Sequence, residues 1–343
     1  MNDTLTALGW SPHFERQITL DPAADPPQRP VRIVAVHRTR LDGLSQDGPV
    51  SLSPTVEAGR YAVGDWVIAS GAAAGAPLDR ITEITRRAAG EESKPQLIAA
   101  NVDTLGIVTS CNADFNVARL ERYLAMCGAS GCMPLVILTK ADLCEDPAPF
   151  IKQAQKLSPL LTAIAIDATD ADDTERLTPW CSNGQTLALV GSSGVGKTTI
   201  QNRLTGLIDA TQDIREDDAK GRHTTTNRNL RPTVAGGWLI DTPGMRELRL
   251  VDAEEGVDEV FADIAALATM CKFNDCAHET EPGCAIRAAV ASGDLEPDRL
   301  ERWRKLDREN RFNTETVGEK RHRLKERQKL YNEGKDRNRF NRR

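Results

Sequence analysis

The sequence predicts an α/β protein: a phosphate-binding parallel-sheet domain joined in rotated order, with a small β-barrel before it and a metal-bearing helical segment after it. Three observations predict this. A glycine-rich loop, Gly191-Ser192-Ser193-Gly194-Val195-Gly196-Lys197-Thr198-Thr199, sits between an apolar run of strand length and a helix-compatible stretch. The tetrad Thr139-Lys140-Ala141-Asp142 ends a second apolar run and precedes that loop. Cys271, Cys276, His278 and Cys284 fall within 14 residues of one another.

The loop is judged by its surroundings. Thr186-Leu187-Ala188-Leu189-Val190 reads as a strand and Thr199-Ile200-Gln201-Asn202-Arg203-Leu204 as a helix, the strand, loop and helix order that a phosphate loop requires. Glycines let backbone N–H groups curl around phosphates, and the helix N-terminus favours anions. Lys197 is expected to reach the β and γ phosphates, and Thr198 to offer its hydroxyl to Mg²⁺. Ser192, Ser193, Val195 and Thr199 complete the predicted binding loop.

Asp241-Thr242-Pro243-Gly244 follows the apolar run Trp238-Leu239-Ile240, 44 residues after Lys197. Alone, D-x-x-G is a weak signal. At a strand end it places Asp241 towards the metal and the Gly244 amide towards the γ-phosphate. Between these motifs lies Gly221-Arg222-His223-Thr224-Thr225-Thr226, from which one threonine is expected to close over Mg²⁺; Thr224 and Thr225 both remain candidates.

A phosphate loop serves ATP and GTP alike, so the tetrad decides the base. Following Pro134-Leu135-Val136-Ile137-Leu138, it lies at the carboxyl edge of a parallel sheet, where ligands bind. Asp142 can accept from guanine N1–H and the 2-amino group, a donor pair that adenine lacks. A buried carboxylate left unpaired by the wrong base is costly, and this gives selectivity. Lys140 would lay its methylenes along the base. Residues 104 to 250 thus carry every part of a GTP site in rotated order, and rotation costs little where parent termini lie close together. The segment after Gly244 then runs into the C-terminal region, so nucleotide state is expected to be reported to the chain beyond residue 250.

Cys271-x4-Cys276-x-His278-x5-Cys284 is a closed four-ligand set suited to one structural zinc, with no position open for a catalytic water. A segment so short cannot hold itself by burial, so metal binding is expected to supply much of its local folding free energy. Cys111, Cys127, Cys132, Cys144 and Cys181 show no ligand spacing and read as ordinary thiols of a reducing compartment.

The rotated motif order, Ala99-Ala100-Asn101-Val102-Asp103, the phosphate loop, Gly221-Arg222-His223-Thr224-Thr225, Asp241-Thr242-Pro243-Gly244 and the Cys271 to Cys284 pattern together resemble the ribosome small-subunit-dependent GTPase A family. The resemblance spans roughly residues 60 to 310. It implies a circularly permuted P-loop GTPase domain with an N-terminal OB-fold β-barrel and a C-terminal helical zinc-binding domain. It further implies binding to the small ribosomal subunit and its rRNA in late maturation, with GTP hydrolysis stimulated by the subunit and coupled to release. Two places depart from the pattern. Where related GTPases often carry Ser-Ala against the base, this chain has Asp167-Ala168, and within residues 28 to 90 the best match is Val63-Gly64-Asp65-Trp66-Val67.

Composition fits this division. With 343 residues and 40% hydrophobic content, the chain can form two or three domains: residues 1–93 with the barrel, 94–250 with the GTPase unit, and 251–343 with the zinc site and a basic tail. Residues 1 to 20 mix polar and charged side chains, no run reaches membrane length, and a cytoplasmic monomer with no membrane partner is expected. Residues 301–343 carry 16 Lys or Arg against 8 Asp or Glu, a net of +8 in a chain of formal charge −6. Such a tail, with Arg321, Arg323, Lys325, Arg327 and Lys329 on a helix-compatible stretch, suits docking on rRNA phosphate. Leu295 to Phe312 reads as a helix able to pack on the zinc loop. Pro22 to Pro30 reads as a linker, and Val31 to Val36, Trp66 to Ile68 and Leu78 to Thr85 as short barrel strands.

One catalytic group is missing. Many GTPases place glutamine after the D-x-x-G glycine, and here that position is Met245, which cannot orient water. Slow unstimulated hydrolysis is therefore expected, with the group supplied by His223 or by ordering on the ribosome; Lys197 and Thr225 complete the candidate catalytic set. Two other classes share parts of this pattern: a GTP-dependent factor acting on a non-ribosomal RNA, and a P-loop small-molecule kinase, which would make little use of a guanine tetrad or a zinc-capped basic tail.

Overall fold

The computed structural model describes residues 3–21, 23–87, 95–159, 161–207, 229–241 and 253–314. In chain order these form α1 (Asp3–Ala7), α2 (Pro12–Glu15), β1 (Gln28–Val36), β2 (Leu41–Ser45), β3 (Gly48–Pro54), β4 (Trp66–Ser70), β5 (Ala73–Pro77), β6 (Glu83–Arg87) and β7 (Pro95–Ala100). Next come β8 (Thr104–Ser110), α3 (Val117–Ser130), β9 (Met133–Thr139), α4 (Ala148–Gln155), β10 (Thr162–Ala165), α5 (Ala171–Glu175), β11 (Thr186–Gly191), α6 (Lys197–Thr205), β12 (Asn229–Pro232) and β13 (Trp238–Asp241). The last elements are α7 (Glu254–Val260), α8 (Ala262–Ala268), α9 (Ala285–Ser292) and α10 (Pro297–Thr314). Among the described residues, no helix is long and apolar enough to cross a membrane.

Alternation of apolar residues on β1 and β4 turns Val31, Ile33, Val67 and Ala69 inward against Leu41, Leu52 and Tyr61. The five strands close a barrel in the order β1-β2-β3-β5-β4, with β3 and β5 parallel and the other neighbours antiparallel. This is the arrangement of a small OB-type barrel. Two boundaries differ from the sequence reading. Gln28, Arg29 and Pro30 belong to β1, because Ser70, Ala69 and Ile68 of β4 offer them a complete antiparallel partner. Leu78 to Thr85 is not one strand: β5 stops at Pro77 and β6 starts at Glu83. Tertiary contacts capture the intervening residues, since Arg80 donates to both oxygens of the buried Asp65 carboxylate (2.6 and 2.9 Å) and the Asp79 carbonyl accepts from Gln17.

The central sheet runs β10-β9-β8-β11-β13-β12, parallel throughout except for β12. Both faces are covered, which is why its strands read as continuous apolar runs. Leu135, Ile137, Leu187, Leu189 and Leu239 pack with Ile200 and Leu204 of α6 on one face. Val136, Leu138, Ala188, Val190 and Ile240 join Leu120, Tyr123 and Leu124 of α3 on the other. Helix α3 begins where the Asn116 side chain accepts from Arg119 N (3.0 Å) and ends at the left-handed Gly131.

Helix α3 also carries the C-terminal helices. At Gly256 of α7 a Cβ would lie 2.0 Å from the Ala125 carbonyl oxygen, so the two backbones touch and no other residue fits there. Glu121 of α3, fully buried, binds Arg302 (2.8 Å) and Arg299 (3.3 Å) of α10, while Arg122 binds Glu309 (2.6 Å). The Ala253 N–H, ahead of α7, is held by the Asn310 side chain at 3.0 Å.

The N-terminal segment fills the seam between barrel and sheet. Trp10 and Phe14, four residues apart, pack with Trp66 of β4, and the Trp238 indole N–H donates to the Ala7 carbonyl at 2.9 Å. Arg32 of β1, 1% exposed, crosses the seam to Thr186 Oγ1 (2.6 Å) and the Leu8 carbonyl, between the rings of Trp66 and Trp238. Burial lowers its pKa to about 10, opposed by the charge of Asp103.

Replacing Glu121 by Gln leaves two partly buried guanidinium groups without their shared carboxylate. The expected outcome in urea denaturation is a loss of about 3 kcal/mol. A loss below about 1 kcal/mol would place the α3 to α10 junction on apolar packing instead.

Candidate nucleotide site and metal centre

The parallel ladders fix which strand ends come together. Thr139 of β9 pairs with Ser110 of β8, Gly191 of β11 with Val108, and Ala188 with Ile240 of β13. All four carboxyl ends therefore lie on one edge. Only β8 separates β9 from β11, so the tetrad and the phosphate loop are two strand spacings apart, roughly 10 Å.

The phosphate loop leaves β11 at Gly191, where a Cβ would lie 2.1 Å from the Val108 carbonyl oxygen; only glycine lets the loop turn so close to β8. Gly196, at φ 92°, turns the chain into α6. The N–H groups of Ser192, Gly194, Val195 and Gly196 have no acceptor among the described residues. An anion at the start of α6 would meet these donors and the helix dipole together. The Lys197 ammonium donates to the carbonyls of Gly191 (2.8 Å) and Ser192, which holds its charge across the loop. The Thr198 hydroxyl, at the start of the helix, has no partner among the described residues.

Thr139 joins the two halves. Its hydroxyl lies 2.7 Å from the Val195 carbonyl oxygen in the phosphate loop and 3.0 Å from that of Thr109. A Cβ on Gly196 would lie 3.6 Å from its methyl group. The hydroxyl is thus committed to the protein, and Thr139 acts as a brace. Lys140, left-handed at φ 58°, then turns the chain into a short helical turn over Ala141–Leu143, and Asp142 is exposed at its surface. The side chains of Lys140 and Asp142 make no hydrogen bond or ion pair among the described residues.

A third segment completes the edge. The Ala141 N–H donates to the Ile166 carbonyl at 3.3 Å, tying the tetrad to the loop after β10. In that loop the Asp167 carboxylate accepts from both N and Oγ1 of Thr169 at 2.7 Å, and Asp173 accepts from the Asp167 N–H at 2.8 Å. Hydrogen bonds from Thr169 hold the Asp167 carboxyl below the usual range. Arg203 of α6 donates to the Thr169 carbonyl. The sequence reading missed Thr169, Asp173 and Arg203. A signal existed only for the start of α5, where Asp170 caps the Asp173 N–H at 3.0 Å.

Asp241 ends β13 on the same edge. Gly244, His223, Thr224, Thr225, Met245 and the basic stretch from Arg321 to Lys329 lie outside the described residues.

The cysteine cluster forms its own centre. One ligand atom from each of Cys271, Cys276, His278 and Cys284 lies within 4.8 Å of all the others. Cys271 Sγ and Cys284 Sγ are 3.9 Å apart, and each is 3.5 Å from His278 Nδ1. Sulfurs around a tetrahedral zinc stand roughly 3.8 Å apart, so this set fits such an ion. Burial pushes the Cys271 thiol up, but N–H groups of Ala285 and Ile286 at the start of α9 and the neighbouring thiols outweigh it, and the net shift is downward. Trp303 of α10 packs on the His278 ring at 5.7 Å, and Arg304 donates to the His278 carbonyl. The centre is therefore built into α10, which itself is built onto α3.

Two outcomes check this geometry. Thr139→Val keeps the volume and removes the brace; titration with a fluorescent GDP analogue is expected to show affinity weakened roughly threefold to tenfold. Elemental analysis by mass spectrometry is expected to find one tightly held metal per chain, lost in Cys276→Ser.

Comparison with known proteins agrees with this architecture. The model of the RsgA GTPase family matches residues 77–251. The small ribosomal subunit biogenesis GTPase RsgA of Mesorhizobium japonicum is 50% identical over 319 residues, covering 91% of each chain. RsgA 2 of Vibrio parahaemolyticus, of the same designation, is 48% identical over 93% of this chain and 89% of its own. Among solved structures, YjeQ from Thermotoga maritima superposes with a TM-score of 0.60 at 22% identity, covering 81% of this chain and 97% of its own. YloQ, a circularly permuted GTPase, gives 0.58 at 22% identity, covering 84% and 97%. With its rotated strands, its shared site edge and relatives alike over nearly their whole length, this chain belongs to the RsgA GTPase family.

Proposed function

We propose that this chain is a GTP hydrolase that binds the small ribosomal subunit and acts in its late maturation, with hydrolysis stimulated by the subunit and coupled to release. The observation that carries the reading is the brace from Thr139 to Val195, which puts a guanine-type tetrad and a phosphate loop on one sheet edge. The names of the relatives supply the ribosomal assignment.

In this reading Asp142 accepts from guanine N1–H and the 2-amino group, and Lys140 covers the base. Gly191 to Thr199 hold the phosphates, with Lys197 on the β and γ groups. Thr198 and Asp241 hold Mg²⁺, which would neutralise charge developing on the phosphates. Gly244 senses the γ-phosphate, one of Thr224 or Thr225 closes the metal site, and His223 supplies what Met245 cannot. Zinc is the ion suited to three thiolates and an imidazole with no open position, so it serves structure alone. Functional units 1–93, 94–250 and 251–343, a basic tail on rRNA, and a monomer working in the cytoplasm complete the proposal.

Small subunits are expected to co-sediment with the protein in a non-hydrolysable GTP analogue and to raise GTP turnover by about 10³-fold or more, the scale of a supplied catalytic group. His223→Ala should lower stimulated turnover with GTP affinity nearly unchanged. Equal turnover with and without subunits would reject the activation scheme, and equal displacement of labelled GTP by ATP would reject the role of Asp142.

A further inference from the structure

A cavity of about 70 Å³ lies in the seam between barrel and sheet, at the opposite ends of β8 and β11 from the nucleotide edge. Three segments meet in its wall: Ser11 ahead of α2, Arg32 of β1 and Asp103 ahead of β8. Ile81, 53% exposed, and the exposed Asp103 mark its mouth. Ser11 Oγ and Arg32 Nε are buried and have no hydrogen-bond partner among the described residues. A buried donor without a partner costs free energy unless a guest supplies the acceptor.

We propose that this cavity is a binding site for a small zwitterion the size of glycine, its carboxylate on Arg32 Nε and Ser11 Oγ and its ammonium on Asp103. The site is separate from the nucleotide edge and does not depend on the GTP reading.

Charge selects the guest. Among the described residues, Arg32 and Asp103 are the only charged side chains in the wall, and each acts on the other's titration. A lone anion would meet Asp103 and a lone cation would meet Arg32, whereas a guest with both signs meets an opposite charge at each end. The other two nitrogens of Arg32 are held by the Leu8 carbonyl and Thr186 Oγ1, so Nε is the donor left over. Asp103 accepts from the Thr186 N–H at 2.7 Å with one oxygen, and acceptor positions remain on its carboxylate. Water can satisfy a hydroxyl and an N–H, but it neutralises neither charge. Size sets the upper limit. The cavity has less than half of the roughly 150 Å³ in which an engineered apolar cavity takes benzene, so a larger amino acid would have to leave its side chain at the mouth. A guest held in this way ties the N-terminal segment, the barrel and the sheet at one point, and the folded chain gains stability as its concentration rises.

The test titrates the full chain with glycine, acetate and methylammonium, each read by saturation-transfer NMR of the probe. Wild-type protein is expected to bind glycine at millimolar concentration, and at least about tenfold more tightly than acetate or methylammonium, since each of these lacks one charged contact. Ser11→Ala should weaken glycine binding roughly threefold to tenfold, and Asp103→Asn more than about tenfold. Glycine should also raise the unfolding midpoint of the wild type and leave that of Asp103→Asn unchanged. Ser11→Ala removes a single hydroxyl, so it decides the matter even where Asp103→Asn does not fold. A wild-type protein that gives no glycine signal holds water alone in the cavity, and the proposal is overturned. Acetate binding as tightly as glycine, or a Ser11→Ala protein with wild-type glycine affinity, overturns it equally.

Discussion

One hydrogen bond sets the terms for the rest of this molecule. The Thr139 hydroxyl and the Val195 carbonyl, 2.7 Å apart and 56 residues apart in sequence, lock the end of β9 to the loop after β11 across the intervening β8. A rotated sequence order threatens a nucleotide site only if it changes which strand ends are neighbours. Here it does not, because β8, β9, β11 and β13 keep parallel pairing and a common carboxyl edge. What rotation changes is where the chain goes afterwards. The D-x-x-G strand, which would otherwise lead back into the sheet, leads towards α7 and the metal centre.

The described chain from Ala253 onward is packed against α3. Ala253 is buried with its N–H on Asn310, Gly256 of α7 touches the α3 backbone, and Glu121 of α3 holds two arginines of α10. The metal centre is fixed to the same helix through Trp303 and Arg304. These contacts include a buried charge cluster and pack α7 and α10 onto α3.

The parts legible in the sequence are those whose physics is local. Glycines forced by a close approach, apolar runs buried on both faces, the Asn116 cap and the cysteine spacing each carry their reason within a few residues. Long-range capture was not legible. Arg80 leaves a strand-like run because Asp65, 15 residues away, binds it with two hydrogen bonds, and Gln28 to Pro30 become strand because β4 is there to pair with them. Within the site, the tetrad and phosphate loop stood out by motif, while Thr169, Asp173 and Arg203 could not, because their partners are set by how α6 packs beside the β10 loop. The brace role of Thr139 was hidden for the same reason: a tetrad residue reads as a ligand contact until the fold shows its hydroxyl already in use.

Arg32 shows why the attachment of the barrel was the least legible feature. Nothing in Val31-Arg32-Ile33 separates it from any arginine on an exposed barrel face, yet it is buried at the seam. Its pKa, lowered to about 10, still leaves the guanidinium charged at neutral pH, so the seam carries a cation where an apolar side chain would be easier to bury. The fork adds direction. One nitrogen is spent on Leu8 of the N-terminal segment and another on Thr186, while Trp66 of the barrel and Trp238 of the sheet flank the plane. Thr186 and Trp238 are paired first residues of β11 and β13, the two strands whose far ends are Gly191 and Asp241. An apolar plug would hold the barrel to the sheet by area alone and leave its rotation free. The guanidinium fork is directional, so the barrel is aligned with the same strands that end in the phosphate loop and Asp241.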